Sequence, residues 1–263
     1  IDRFGVTQPN IQQVGNSGKI LIELPGVKDP ERVRKLLQGT ASLEFWPTYQ
    51  GNEIDLYAVD ARVAEILNNL SDSTTVSNPL FRVLSPSGWN NACIGFASGV
   101  DTVTVNQYLA MASDVLPAGF KGMWTVKPSD LVKGNNLYEL VAIKATSRDG
   151  KAPLDGGVVT DARVNFNGAQ QGGNGAPSVS MTMNAEGASI WARLTKDNIG
   201  KQVAIVLDGL VYSYPTVNTE ITGGSSEITG NFDVQEAEDL ANVLKSGKLP
   251  APATIIQEQV VGP

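Results

Sequence analysis

The segment from Ile221 to Pro252 carries the most complete helix signal in the chain. Asp233 can cap the helix, and Glu236, three residues later, can accept a hydrogen bond from the amide of the cap. Apolar residues then recur at helical spacing, at Val234, Ala237, Leu240, Ala241 and Leu244. Gly247 suits the left-handed residue that ends a helix, and a proline-rich exit follows. The pattern predicts one amphipathic helix from Val234 to Lys245.

The two ends of the chain repeat one order of elements. Near the N-terminus a strand from Lys19 to Leu24, a helical stripe and a strand from Ala41 to Trp46 follow one another. The C-terminal end offers a strand, the helix just described and a last strand from Thr254. Two βαβ halves that are separate in sequence can close into one ferredoxin-like sheet. We therefore predict an α+β fold with a split, ferredoxin-like base subdomain, formed by residues 1–46 and 218–263.

The residues between these ends, 47–217, are predicted to form an inserted head subdomain with its own core. Its second part, 151–217, offers strands, a helix and the apolar strand Val203 to Leu207. Asp208-Gly209 follows directly and is typical of a two-residue type I′ hairpin. This part predicts a small α/β layer.

The first part of the insertion, residues 47–150, is less regular. Helical stripes run from Asp60 to Leu70 and from Val105 to Leu116, and Pro117 stops the second. Asn136 to Lys144 reads as a strand. We find no functional motif in this variable part.

The composition excludes several classes of function. The chain has 263 residues, of which 27 are acidic and 20 basic, and its net charge is -7. Because the basic residues are scattered, we predict no nucleic-acid partner. The chain has no histidine and one cysteine, Cys93, which rules out Ser-His-Asp and Cys-His catalysis and a thiolate zinc site. We predict no catalytic residue, no metal and no cofactor, and a buried structural role for Cys93.

Paired carboxylates are the one catalytic chemistry that the composition leaves open. A glycosidase could use two of them, and four lie on or beside predicted strands: Glu44, Asp155, Asp161 and Asp208. Turn formation and strand alternation explain each of them more simply. The alternatives at this stage are therefore a carbohydrate-active module and a structural cell-envelope module.

The exact residues of several segments are more informative than their helix and strand patterns alone. LANVLKSGKLPAP, with ITGG and ITGNF before it and VVGP after it, resembles the end of the large extracytoplasmic domain of the SecD family. RFGVTQPNIQQVG, KILIELPGVKDPERVRKLLQGTASLEF and MNAEGASIWARLTKDNIGKQVAIVLDGLVYSYP resemble the same family in the same order. Residues 49–150 depart from the family pattern, so any function special to this chain is expected there.

The resemblance implies a role in protein export. No stretch approaches the roughly 20 apolar residues that cross a bilayer, so we expect the chain by itself to be soluble. By resemblance it is an excised domain on the periplasmic face of the bacterial inner membrane. The implied partners are unfolded preprotein, the SecYEG channel and SecF, fused or separate. In the family, export uses the proton-motive force, the base lies near the membrane, and the head swings as it binds and releases preprotein.

Two sets of site residues follow as expectations. A head that handles many preproteins should offer adaptable apolar surface and sheet-edge backbone. The candidate preprotein-binding residues are Tyr212, Tyr214, Met181 and Met183, for which packing on a sheet face is the competing explanation. The candidate hinge residues, at the two crossings between base and head, are Phe45, Trp46, Pro47, Pro215, Gly223 and Gly224.

Overall fold

The computed structural model describes residues 10–14, 19–23, 43–70, 76–129, 136–147, 149–166, 177–229 and 232–246. The chain divides into two compact units, one of residues 1–41 and 249–263 and one of residues 42–248. In the first unit, strands β1 (Asn10–Val14) and β2 (Lys19–Glu23) form an antiparallel hairpin. The hairpin contains the predicted strand at Lys19. The other predicted elements of the base, the N-terminal helix and the strand from Thr254, lie outside the described residues, so the ferredoxin-like base stays a prediction.

The second unit is a mixture of sheets and helices, which confirms the α+β class. Its strands are β3 (Leu43–Pro47), β4 (Ser85–Pro86), β5 (Cys93–Ser98), β6 (Phe120–Trp124), β7 (Leu137–Lys144), β8 (Leu154–Asp155), β9 (Val159–Asn165), β10 (Ser178–Met183), β11 (Val203–Leu207), β12 (Leu210–Ser213) and β13 (Ser225–Ile228). Its α-helices are α1 (Leu56–Leu70), α2 (Thr102–Met111), α3 (Ala185–Asp197) and α4 (Val234–Ser246). Short 3₁₀ turns lie at Gly51–Glu53, Leu80–Arg82 and Gly156–Val158.

The strands pair antiparallel in three described sheets. The first sheet has the order β12-β11-β3-β8, the second β4-β5-β7-β6 and the third β13-β10-β9. Helices α1 and α2 cover one face of the second sheet with an apolar core that includes Val59, Val105, Leu109 and Leu140. Helix α3 packs Trp191 edge-on against Phe45 of β3, and α4 packs on β9 and β10. The variable part of the chain thus supplies the second sheet with its two helices.

The first and second sheets are joined at two places. Thr48, just after β3, bridges Ile143 of β7, and Thr125, just after β6, bridges Val211 of β12. Strands β12, β11, β3, β7 and β6 therefore surround a common core, whose fully buried members include Trp46, Val141, Ile143, Ala204, Val206 and Val211. The variable part and the family-like core are consequently one packed body, since neither sheet has a separate interior on this side.

Two local predictions are confirmed. Asp233 Oδ1 accepts a hydrogen bond from the N–H of Glu236 at 2.8 Å, and Glu236 accepts one from the N–H of Asp233 at 3.0 Å. This is the capping box that starts α4. Asp208 and Gly209, with φ of 51° and 80°, form the predicted type I′ turn between β11 and β12.

The predicted helix from Val105 to Leu116 is wrong at its C-terminal end. Helix α2 ends at Met111, because the chain tightens there into i→i+3 turns: the N–H of Ser113 donates to Ala110 and that of Val115 to Ala112. Apolar residues in two successive turns imitated a continued helical stripe.

The structure also places two elements differently from the predicted subdomain boundaries, which fell at 46/47 and 217/218. Strand β3 lies between β11 and β8, and α4 packs on β9 and β10, so both belong to the second unit. The physical reason is burial on both faces: Phe45 is 0% and Trp46 1% exposed, which requires a central strand with a layer on either side. The boundaries between the units fall instead at 41/42 and 248/249.

Candidate functional site

Met181 and Met183, two of the predicted preprotein-binding residues, lie in the core. Their exposed fractions are 1% and 7%. They alternate along β10 on the face that also buries Val179, so their spacing reflects packing on a sheet face. In this conformation neither thioether is presented to a polypeptide.

Tyr214, the third predicted binding residue, is partly buried and polar at its tip. Its hydroxyl donates to the Glu139 carboxylate, and its ring packs on the common core of the two joined sheets. Burial, and then the hydrogen bond to Glu139, raise the pKa of Tyr214 well above its usual range. The hydrogen bond to Glu139 therefore holds the Tyr214 side chain against the core. Tyr212, the fourth predicted binding residue, is half-buried on β12.

Glu139 on β7 is the centre of a buried polar network that sequence reasoning missed. It is 6% exposed, and its carboxylate accepts hydrogen bonds from Ser129 Oγ and from the Tyr214 hydroxyl. Its backbone pairs with Thr125, whose N–H donates to the carbonyl of Glu139 at 3.0 Å. The network joins β7, the segment after β6 and the end of β12, so it stabilises the seam between the two sheets.

The predicted hinge residues on β3 lie in continuous sheet. Phe45 and Trp46 are buried, and the indole of Trp46 donates to Glu44 at 2.8 Å. Pro47 is opposite Val203 of β11 in the sheet, and the N–H of Val203 donates to the carbonyl of Pro215 at 3.1 Å. Strands paired on both sides resist bending. The hinge at these residues stays a prediction, and so does a movement between the two units.

Gly224, another predicted hinge residue, is a packing residue. It is buried with φ of +66°, and a Cβ at this position would lie 2.7 Å from the Cβ of Ala188 on α3. Its carbonyl accepts from the N–H of Met183 at 2.8 Å. Gly223, in contrast, is exposed, and a Cβ there would meet nothing within 4 Å.

We therefore expect Gly224→Ala to lower the free energy of unfolding by about 2 kcal/mol or more, because it adds left-handed strain to a steric clash. Gly223→Ala is the matched control and should change it by less than about 0.5 kcal/mol. Urea unfolding followed by circular dichroism measures both. Equal, small effects would restore a flexible role for this glycine pair.

The carboxylates considered for catalysis have structural partners. Asp155 accepts from the N–H of Gly157 at 2.9 Å and caps a 3₁₀ turn. Asp161 pairs with Lys245 of α4 at 3.2 Å, and that contact lowers the pKa of Asp161. Glu44 accepts a hydrogen bond from the Trp46 indole, and Asp208 forms the hairpin turn between β11 and β12. Within the described ranges, no three potential metal-ligating side chains come together.

Cys93 is fully buried on β5, as expected for a structural thiol. Burial, followed by the charge of Glu139, raises its pKa to about 12. Because the folded-state pKa is raised, the stability gained by burying the neutral thiol is fully present below about pH 9, the ordinary thiol value, and is lost as pH rises toward about 12.

We expect Cys93 to be unreactive toward an aromatic disulfide reagent at pH 8 in the folded chain and fully reactive in guanidinium, since the thiolate is the nucleophile. Between pH 9 and 11 the free energy of unfolding should fall more steeply in the native chain than in Cys93→Ala. Rapid modification of the folded chain at pH 8 would show that the thiol is accessible.

A groove lies beside strand β6. It has a volume of about 420 Å³ and lies between the C-terminal half of α2, the turn after it and β6. Its lining residues are Asn106, Leu109, Ala110, Ser113, Leu116, Pro117, Ala118, Gly119, Phe120 and Gly122. The groove could not be predicted from the sequence, because the apolar stripe continues through Leu116, across the turn that forms the end of the groove.

Comparison with known proteins identifies the family. The model of the SecDF P1 head subdomain matches residues 133–251, and that of the N-terminal part of the P1 domain of protein translocase subunit SecDF matches residues 1–50. The protein translocase subunit SecD of Rhodothermus marinus is 42% identical over 291 residues, which cover 100% of this chain and 45% of the relative. The chain belongs to the SecD family. The resemblance found in the sequence is thereby confirmed.

A second SecD relative also matches the whole chain. The SecD subunit of Syntrophobacter fumaroxidans is 30% identical over 263 residues, 100% of this chain and 37% of the relative. The chain therefore spans less than half the length of these SecD proteins. A solved structure, described as that of a membrane component SecDF that enhances protein export, is 28% identical, with a TM-score of 0.48, and the match covers 99% of this chain and 87% of that one.

Residues 51–132 of this SecD-family chain lie between the stretches that the two family models match. They contain α1, α2 and strands β4 to β6, and with them the whole groove. Among the described helices, none is long and apolar enough to cross a bilayer.

Proposed function

We propose that this chain is the extracytoplasmic domain of a Sec translocon accessory subunit, which binds emerging unfolded preprotein and assists its export. The observation that carries the proposal is the similarity to SecD over the whole chain, at 42% identity. In the intact subunit the domain lies on the periplasmic face of the inner membrane and acts with the SecYEG channel and SecF. The proton-motive force supplies the energy for export, through membrane segments outside this chain.

The surface that the structure describes fits a binding role for polypeptide. The groove beside β6 is lined by uncharged side chains, most of them apolar or small, as suits substrates that share a backbone but no fixed sequence. The carboxylates that motivated a carbohydrate-active alternative are engaged in caps, turns and ion pairs. Neither that alternative nor a structural envelope module is favoured by a specific observation.

The proposal is tested by offering one secretory protein in two states. Fluorescence anisotropy measures binding of the labelled preprotein, kept unfolded by dilution from urea, and of its folded mature form. We expect the chain to bind the unfolded form at least about tenfold more tightly, because only an unfolded chain exposes extended backbone and apolar side chains together. Equal affinities would contradict the proposal. Glycan hydrolysis, or self-assembly without binding of the unfolded chain, would favour the two alternatives.

A further inference from the structure

Strand β6 has an outer edge beside the groove. In the second sheet it is the last strand in the order β4-β5-β7-β6. Its pairing with β7 runs without a register shift from Phe120 opposite Lys144 to Trp124 opposite Leu140. Among the residues that the structure describes, the first partner on the outer side is Val211, at Thr125, beyond the end of the strand.

The hydrogen bonds at the two ends of β6 determine which backbone groups face outward. The N–H of Ala145 donates to Gly119 at 2.7 Å, and the N–H of Thr125 donates to Glu139 at 3.0 Å. Because paired residues of an antiparallel ladder alternate between bonded and non-bonded positions, every second residue from Gly119 to Thr125 bonds to β7. Gly122, midway along β6, therefore directs its N–H and its carbonyl away from β7.

The same stretch of β6 lines the groove. Gly119, Phe120 and Gly122 form one wall, and Ala110 and Ser113 belong to the opposite side, on α2 and the turn after it. A helix beside an edge strand, with a groove between them, is the arrangement in which an extended peptide can add to a sheet while its side chains enter the groove.

The electrostatics of the groove indicate the chemistry of its occupant. All ten lining residues are uncharged, although the chain carries 47 ionisable acidic and basic residues, 27 and 20 respectively. A charged ligand would find no counter-charge in the lining. Backbone amides and carbonyls, together with small or apolar side chains, match what the groove and the β6 edge present.

We propose that the groove beside β6 captures an extended, uncharged stretch of polypeptide by strand addition to the outer edge of β6. The inference rests on the proposed function, since it gives the unfolded preprotein a docking site. It places that site in residues 51–132, outside the stretches matched by the two family models. Gly122 supplies the central pair of backbone hydrogen bonds, and α2 supplies the apolar contacts.

Two matched pairs of variants test the inference. Ala110→Glu places a charge on the exposed groove side of α2, and Gln107→Glu places the same charge on the same helix outside the groove lining. Gly122→Pro removes the outward N–H, whereas Gly122→Ala adds a Cβ and keeps the N–H. Because glutamate is a good helix former, both glutamate variants should keep the native melting temperature.

The probes are a fluorescein-labelled, end-blocked decapeptide of alternating valine and serine, and the unfolded preprotein used above. We expect Ala110→Glu to weaken binding of both probes about tenfold relative to Gln107→Glu, and Gly122→Pro about tenfold relative to Gly122→Ala. If Gly122→Pro fails to fold, the glutamate pair decides the question alone.

The outcomes separate this inference from the proposed function. If the native chain binds unfolded preprotein and Ala110→Glu binds it as well as Gln107→Glu does, the docking site lies elsewhere and the proposed function stands. If the native chain binds neither probe, both fail. A dimer in sedimentation analysis that Ala110→Glu dissociates would make a second copy the occupant. Slow amide exchange at Gly122 without any probe would show that the chain itself covers the edge. Either of these two results would overturn the proposal.

Discussion

Replacing Trp46 with alanine is expected to lower the free energy of unfolding by about 3–5 kcal/mol. Trp46 is 1% exposed and lies in the core that the first and second sheets share, so its removal leaves a cavity where both sheets need support. Trp89→Ala is the matched control: Trp89 is 44% exposed and makes one edge-on ring contact, with Phe96 at 5.7 Å. Its loss should cost about 1 kcal/mol.

Urea unfolding followed by far-ultraviolet circular dichroism measures both tryptophan variants without relying on tryptophan emission. The ratio of the two losses in free energy of unfolding is the informative quantity. A general effect of removing a tryptophan would be the same at both positions, whereas a shared core makes the loss larger at Trp46. Equal losses would contradict a common core between the family-like sheet and the sheet of the variable part.

The second large effect is expected from Leu240→Pro. Leu240 is 2% exposed at the centre of α4, and proline there removes a helical hydrogen bond and clashes with the preceding turn, at a cost of about 3 kcal/mol or more. Because α4 packs on β9 and β10, hydrogen exchange should accelerate in those strands as well as in the helix. Exchange in β2, which belongs to the other unit, should stay unchanged.

Hydrogen exchange detected by mass spectrometry reads all of these segments in one experiment. Glu238→Ala, an exposed change on the same helix, controls for a substitution in α4 that keeps every helical hydrogen bond. Faster exchange in Lys19–Glu23, with β9 and β10 still protected, would return α4 to the base subdomain that the sequence pattern first indicated.

The capping and hairpin signals in the sequence were reliable. The capping box of Asp233 and Glu236 starts α4 as expected, and Asp208-Gly209 forms the expected turn, because both depend on contacts within a few residues. The bounds of β11 also agree with those predicted, Val203 to Leu207. The α+β class followed from the same kind of evidence.

Long-range partners could not be predicted in this way. Strand β3 reads equally well as part of a ferredoxin-like base or as the centre of another sheet, and only its pairing with β11 and β8 decides between them. Glu139 reads as a polar residue on a strand until the fold brings Ser129 and Tyr214 to it. Met181 and Met183 carried the right spacing for a sheet face but no sign of which face is covered.

The variable part gave the fewest signals and contains the groove. The groove lining includes two glycines: Gly119 lies just before β6 and Gly122 in its middle. From the sequence alone both would be interpreted as turn residues. The chemistry of an outward-facing backbone edge has no residue signature, because every residue carries the same amide and carbonyl. The proposed docking site is therefore visible only once the pairing of β6 is known.

Site-specific photocrosslinking to a stalled preprotein tests directly whether preprotein docks in the groove beside β6. A benzoylphenylalanine replaces Ala110 or, as the control, Gln107 in this domain carried by a full-length SecD subunit, and preprotein export is arrested midway by a folded C-terminal domain. We expect the crosslink to the preprotein from position 110 to be several times stronger than that from position 107. The crosslink from position 110 should disappear in the Gly122→Pro background. Crosslinks of equal strength from both positions, or none from position 110 while other surfaces of the domain crosslink, would contradict docking in the groove.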